Sequence, residues 1–287
     1  MPLSNPIEDI LNAINIGIIE LNKKNEIIKV NQKIANIFNC RKSEMLHKTL
    51  DSLFEKKNHS TIRTFLTNDE KNQSIVIKES QNNDNPIILK ITKSIKEEAS
   101  LLLFDDMTND FKKNSELIKL AFYDSLTEIP NKNLFNDRAK IALSQAVRNK
   151  EKFAIIYIDI NNFKTINDTT GHLNGDKVLY ELALRLSNSI RESDTVARIG
   201  GDEFIILAQN IKSDVDLTIL LERVMKSNTK AFTINGNKVA IEISIGASLY
   251  PDHGKNIKEL MNNADKAMYA CKKQKKHGFV LHGIINN

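Results

Sequence analysis

The chain has 287 residues, 41% of them hydrophobic and 27% charged, a balance suited to a soluble globular protein long enough for two domains. Its formal charge of +5 is mild and its lysines are scattered, so no nucleic-acid footprint is visible; two cysteines, Cys40 and Cys271, exclude a disulfide framework and point to a reducing compartment. No apolar run is long enough for a membrane span and Met1 to Asn5 lacks the basic start of a signal peptide, so a cytoplasmic location with no membrane segment in this chain is expected.

From the N-terminus, residues 7–16 read as a short helix, and residues 17–21 and 26–30 as a hairpin about the polar turn Asn22 to Asn25. Ala35, Phe38, Met45 and Leu46, then Leu50, Leu53 and Phe54, give helical apolar spacings broken by polar turns. Strands are expected at 74–78, 87–95 and 101–105, the first two separated by the Asn-rich turn 81–85. Two strands, short helices and three strands make the order of a small sensor fold. The runs Asn15-Ile16-Gly17-Ile18-Ile19, Val30 to Phe38 and Ser43-Glu44-Met45-Leu46 resemble PAS domains, over residues 5–106. Asn39-Cys40-Arg41 is followed by Lys42-Ser43-Glu44 rather than by the apolar, amide-bearing helix of flavin-binding members, so Cys40 reads as a small buried hydrophobe. His47 and His59 read as surface residues, and no cofactor is expected in this domain.

Residues 107–123 form a helical linker, with Met107, Phe111, Leu117, Ile118, Leu120 and Ala121 at amphipathic spacings. That face fits either packing on its own domain or a parallel two-chain coil. Residues 124–284 then give a second domain, with helices at 133–149, 175–191, 214–227 and 257–273, and strands at 153–159 and 239–249, with 229–234 as a candidate partner of the last. Around residues 198–207, apolar residues run up to Gly200-Gly201 and away again, the pattern of a hairpin whose tight turn uses glycine's freedom at positive φ. The whole reads as α+β, with a mainly antiparallel central sheet.

Two acids leave that turn, Asp202 and Glu203, and the strand 153–159 ends in a third, Asp159. Strand-end carboxylates brought side by side offer oxygen ligands to a hard divalent cation, and side-chain-free glycines beside them admit a polyphosphate. The segments Asp124-Ser125-Leu126-Thr127-Glu128-Ile129-Pro130-Asn131, Asp159 to Asp168, Gly171-His172, Gly175-Asp176, Gly200 to Phe204 and Ala264 to Tyr269 resemble, in order and spacing, the GGDEF family of diguanylate cyclases. The resemblance implies condensation of two GTP into cyclic di-GMP and pyrophosphate, by a homodimer in which each protomer holds one GTP.

It further implies magnesium held by Asp159, the Ile160 carbonyl and Asp202; Glu203, beside the metal ligand, either helps deprotonate the attacking ribose hydroxyl or binds a second ion. Asn162, Phe163 and Lys164, in the turn after the strand, would receive phosphate oxygens, and Asn167 and Asp176 would read guanine, whose paired donors a carboxylate accepts. Asp176 also suits the first turn of a helix, and His172 reads as structural. Lys272 and Lys276, at i and i+4, would bring charge to the triphosphate. Arg191 and Asp194 resemble the family's inhibitory product site. The chain departs from the family at Glu128 for glycine, Lys132 for arginine, Asn161 for the second strand-end aspartate and Lys275-Lys276-His277 for Gly-Arg-Asn, the last placing substrate affinity in question. The alternative is a GTP- or cyclic di-GMP-binding regulator, possibly of a phosphodiesterase domain outside this chain.

Overall fold

A computed structural model describes residues 16–68, 70, 72–80, 86–95, 99–234, 237–273 and 278–283. The chain divides into two compact units, Met1–Glu116 and Leu117–Asn287. The helix expected at 7–16, the turn at 81–85 and the basic run with Lys276 fall on, or almost entirely on, residues outside the described ones.

In the first unit, β1 (Gly17–Leu21) and β2 (Ile27–Val30) lead into α1 (Gln32–Ile37), α2 (Lys42–Met45), tight 3-10 turns at Leu50–Leu53 and Lys56–Asn58, and α3 (His59–Thr67). Strands β3 (Gln73–Ser80), β4 (Pro86–Ile95) and β5 (Ser100–Asp106) complete an antiparallel sheet of order β2-β1-β5-β4-β3. Alternation along the strands sends Ile19, Leu21, Leu89, Ile91, Leu102 and Phe104 to one face, where Ile34, Met45, Ile62 and Phe65 of the helices cover them. Asn31 joins the layers, its Oδ1 accepting from the Ile34 N–H at the start of α1 and from the Ile18 N–H in β1. This β-rich unit is consistent with the expected PAS-like domain. Helix α3 was not anticipated, although Ile62, Phe65 and Leu66 carry its buried face at helical spacing. Cys40 is half-buried against the core rather than within it, and His59 bonds through Nε2 to the Phe54 carbonyl oxygen at 2.9 Å.

The division between units falls inside α4 (Thr108–Phe122), no residue of which is buried; Leu117, Ile118 and Leu120 are 57–70% exposed. The second unit contains α5 (Lys132–Asn149), β6 (Phe153–Ile160), α6 (Phe163–Thr170), α7 (His172–Ser189), β7 (Thr195–Gly200), β8 (Glu203–Ala208), α8 (Asp214–Ser227), β9 (Phe232–Ile234), β10 (Asn237–Val239), β11 (Ile243–Tyr250), α9 (Ile257–Lys273) and β12 (Gly278–Leu281). Its main sheet has the order β12-β11-β6-β8-β7, antiparallel except for β11 with β12.

Central strand β6 is buried on both faces, and its period of two decides which side chain goes where. Ala154, Ile156, Ile158 and Ile160 face Val178, Leu182 and Leu186 of α7 and Leu217 and Leu221 of α8. Phe153 and Ile155 face Phe135, Ala139 and Ala142 of α5 and Leu260 and Ala264 of α9. A slip of one residue would exchange these faces, and each large side chain turned out to water would cost roughly 1.5–3 kcal/mol, so the register is fixed. Asp159 therefore lies on the α5/α9 side.

Three expectations need correction. Phe163 and Lys164 are the first turn of α6, not a turn residue pair, with Asn162 as the N-cap in a left-handed conformation (φ 56°) that asparagine tolerates. Helix α7 starts at His172, so Asp176 sits beyond its first turn. The strand expected over 239–249 is broken: Ile241 turns into the core and the Glu242 carbonyl accepts the Asn161 N–H at 2.8 Å, which separates β11 from the small hairpin β9–β10.

Candidate active site

The site forms where β6 and β8 end together. Asp159 and Glu203 are directly opposed across the antiparallel pair, and Asp202 stands in the adjoining turn, where Gly201 takes φ 54°. Arg198, one strand away, fixes that turn: its Nε and Nη2 donate to the Gly201 carbonyl at 2.9 and 2.7 Å, and its Nη1 donates to Asp124 Oδ1 at 2.9 Å. Asp124 Oδ1 also accepts from the Thr127 backbone N–H and hydroxyl. Burial pushes the Asp124 carboxyl up, but the Thr127 and Arg198 donors more than offset it and hold it below the ordinary value.

Helix α9 supplies the counter-charge. It lies flush on β11 at Gly246, where a Cβ would stand 1.9 Å from the Met268 nitrogen and 2.2 Å from the Ala264 oxygen. This close approach carries Lys272 to the strand ends, where its Nζ donates to Asp159 Oδ1 at 2.6 Å. Burial pushes the Asp159 carboxyl up; Lys272 opposes this, and the Asp202 and Asp265 charges add to it, for a net rise. Glu203 is raised by burial and by Asp159, Asp202 and Asp265. Tyr157, on the same face of β6, is pushed up to about 12 by burial, Glu203 and Asp265. Ser244, opposite Asp159 on β11, donates to Asn161 Oδ1 at 2.7 Å, so the asparagine at that position is held as a neutral partner.

Two oxygen-donor side chains, Asp159 and Asp202, suit a hard cation, and Asp159 already carries a cationic contact in Lys272. Among the described residues no group of three or more His, Cys, Asp or Glu side chains is placed to hold a metal ion. The pair fits magnesium of the kind that takes one or two carboxylates and completes its shell with substrate phosphate and water.

Beside this centre, α6 and α7 meet at Gly175. A Cβ there would fall 1.8 Å from Asn167 Oδ1 and 3.3 Å from Phe163 Cζ, so glycine is required for the asparagine to lie where it does. Asn167 Oδ1 is buried against Gly175 with no hydrogen-bond partner, while Asp176, the next residue of α7, is exposed. Lys164 is exposed on the first turn of α6, and His172 is the exposed first residue of α7. Thus Asp159, Ile160, Asp202, Glu203 and Lys272 come together, as do Phe163, Asn167 and the Gly175-Asp176 turn of α7. Lys276 lies outside the described residues, and α9 is described only to Lys273.

Arg191 and Asp194 stand at the opposite end of β7 from Gly200. They line a cavity of about 220 Å³ together with Gln209, Lys212, Asp216 and Arg223. Arg191 is exposed, whereas Asp194 is 8% exposed and its two oxygens accept from the Arg191 and Gln209 backbone N–H groups. Asp194 thus builds the turn as well as facing the cavity. Sequence alone gives no role to Arg198, Asp265 or Gly246; for Asp265 the available signal is its seven-residue spacing from Lys272 on one helix face.

A sheet of this topology with carboxylates at paired strand ends and a glycine turn defines a nucleotide-cyclase type of domain. The family model described as the diguanylate cyclase GGDEF domain matches residues 121–278, more than half of the chain, and the chain belongs to that family. It is 42% identical over 168 residues to the bifunctional diguanylate cyclase/cyclic di-GMP phosphodiesterase MucR of Pseudomonas aeruginosa, covering 58% of this chain and 24% of MucR. It is 39% identical over 163 residues to the diguanylate cyclase TpbB of the same species, covering 56% of this chain and 38% of TpbB. The solved GGDEF domain of TpbB superposes with a TM-score of 0.55 at 38% identity, covering 56% of this chain and 94% of that one. The chain therefore matches less than half the length of either curated relative.

Proposed function

We propose that the protein is a diguanylate cyclase that condenses two GTP into cyclic di-GMP and two pyrophosphates. The observation that carries this reading is the convergence of Asp159, Asp202 and Glu203 at paired strand ends, beside a turn open to a polyphosphate. Asp159, Asp202 and the Ile160 carbonyl would hold magnesium, which when bound neutralises charge on the triphosphate. Glu203, its pKa raised by burial and by its acidic neighbours, is suited to take a proton from the ribose 3′ hydroxyl. The N-terminal N–H groups of α6, with Asn162, Phe163 and Lys164, receive phosphate oxygens, and Lys272 and Lys276 supply further positive charge. Asn167, whose buried Oδ1 has no hydrogen-bond partner, and Asp176 would read guanine, the Asp176 carboxylate accepting from N–H groups that adenine does not have.

Each protomer holds one of the two substrates, so a homodimer brings them together and supplies proximity. Residues 5–106 act as a PAS-like sensor, residues 107–123 as its helical linker and residues 124–284 as the cyclase; the exposed apolar side chains of α4 support a linker that pairs with a second copy. No described helix is long and apolar enough to cross a membrane. Arg191, with Asp194, binds cyclic di-GMP as a feedback inhibitor in the cavity they share. The second reading, a nucleotide-binding regulator of a phosphodiesterase domain, draws on the bifunctional relative; the whole acidic turn favours the cyclase. Nucleotide selectivity tests the site directly: Asp176→Ala should weaken GTP binding about tenfold or more, with ATP little changed. Equal losses for both nucleotides would remove the guanine-reading role.

A further inference from the structure

We infer that Lys272 is a tethered stand-in for the divalent metal, holding Asp159 in the nucleotide-free protein and releasing it only when a triphosphate arrives to receive the ammonium. The inference rests on the metal-binding role proposed for Asp159. It starts from the contact itself: Lys272 Nζ lies 2.6 Å from Asp159 Oδ1, with the carboxylate 8% and the lysine side chain 38% exposed. A nearly buried carboxylate close to the charges of Asp202 and Asp265 is costly without a cation, and Lys272 provides that cation.

The two partners differ in freedom. Asp159 is fixed in β6, hydrogen-bonded between β8 and β11, and cannot retreat. Lys272 stands in the last turn of α9, half exposed, on a flexible four-carbon stem whose ammonium can leave while the helix stays in place. A divalent ion on the Asp159 carboxylate and an ammonium held on its Oδ1 would stand close enough to repel each other strongly, so metal entry drives the ammonium away. Water alone rewards that departure poorly, whereas a triphosphate beside the glycine turn offers it several anionic oxygens. Metal and nucleotide are thus coupled through one side chain, and the coupling is reciprocal. The protein resists loading with metal alone and accepts the metal together with its nucleotide.

The test is a Mn²⁺ titration of the full chain, followed by electron paramagnetic resonance, with and without the non-reacting analogue α,β-methylene GTP. In wild type the analogue should raise Mn²⁺ affinity strongly. Lys272→Met and Lys272→Gln should each bind Mn²⁺ without nucleotide about tenfold more tightly than wild type and lose about tenfold of the enhancement, within the usual range of coupling between sites. Lys273→Met removes a charge from the neighbouring residue, whose Nζ lies over the Tyr269 ring at 4.7 Å, and should leave Mn²⁺ affinity within about twofold of wild type. If both Lys272 variants bind Mn²⁺ no more tightly than wild type while Asp159→Asn still weakens binding with the analogue, the stand-in role falls and the metal-ligand reading stands. An equal gain from Lys273→Met would also overturn it, by reducing the effect to general charge. If Asp159→Asn changes Mn²⁺ binding in neither background, both the stand-in role and the metal-ligand reading fall.

Discussion

Replacing Arg198 with methionine removes two hydrogen bonds to the Gly201 carbonyl and one to Asp124 while keeping most of the aliphatic stem. The Arg198 and Asp124 side chains are only 12% and 21% exposed, so screening by solvent does not erase the pair. Hydrogen bonds to charged groups contribute roughly 1.5–3 kcal/mol each, but Asp124 keeps its Thr127 donors and the Gly201 carbonyl lies in an exposed turn that water can reach. A net loss of about 2–3 kcal/mol is therefore expected, which lowers the melting temperature of the catalytic unit by about 5–10 °C. The assay is thermal unfolding of Arg198→Met, Asp124→Asn and the double variant. A coupling energy above about 1 kcal/mol is predicted, with a fall in turnover because the turn bearing Asp202 and Glu203 loses its anchor. Losses that simply add, within about 0.5 kcal/mol, would refute the argument that this pair fixes the turn.

Gly175→Ala places a methyl group where Asn167 Oδ1 now lies, so GTP affinity should fall about tenfold or more while the cost to the fold stays near 1 kcal/mol; unchanged affinity in an equilibrium binding assay would show that Asn167 is not needed there. Glu203→Gln should raise stability at neutral pH even as it removes activity. The Glu203 pKa is raised on folding, so its favourable contribution is present below its unfolded value and is lost as pH rises through the folded one; the neutral amide recovers it. The gain is small because solvent screens this partly exposed group, and a melting temperature that falls at pH 7 but not at pH 4 would contradict the sign. Arg191→Ala should relieve inhibition by cyclic di-GMP and leave the initial velocity largely unchanged; equal affinity for the product by calorimetry before and after would rule out this site.

The legible parts of this fold are those governed by short-range rules. Apolar runs and Gly200-Gly201 place β6, β7 and β8, and the acids at their ends, because register and alternation leave one arrangement. Helix α9 is equally clear, from Leu260, Ala264, Met268 and Cys271 at helical spacing. Helix α6 is not: Thr165, Asn167, Asp168, Thr169 and Thr170 are weak helix formers, and its buried face is only partial, so a polar turn was the natural expectation. Parallel strand β12 and the break before β11 depend on partners far along the chain, with no local signal. The same limit hides the Lys272–Asp159 pair, whose members are 113 residues apart and meet only because Gly246 lets a helix backbone touch a strand. The Asn167 acceptor is visible only once Gly175 is seen to make room for it.

The central claim is that this acidic turn performs chemistry and does not merely bind. The direct measurement is incubation of the full chain with GTP and magnesium, with chromatographic separation of the nucleotide products, beside an Asp202→Ala control whose fold is checked by circular dichroism. Cyclic di-GMP and pyrophosphate should accumulate in a ratio of one cyclic dinucleotide to two pyrophosphates, and should vanish in the folded control. GTP that is bound but recovered intact from the wild-type protein, or equal product from Asp202→Ala, would contradict the assignment.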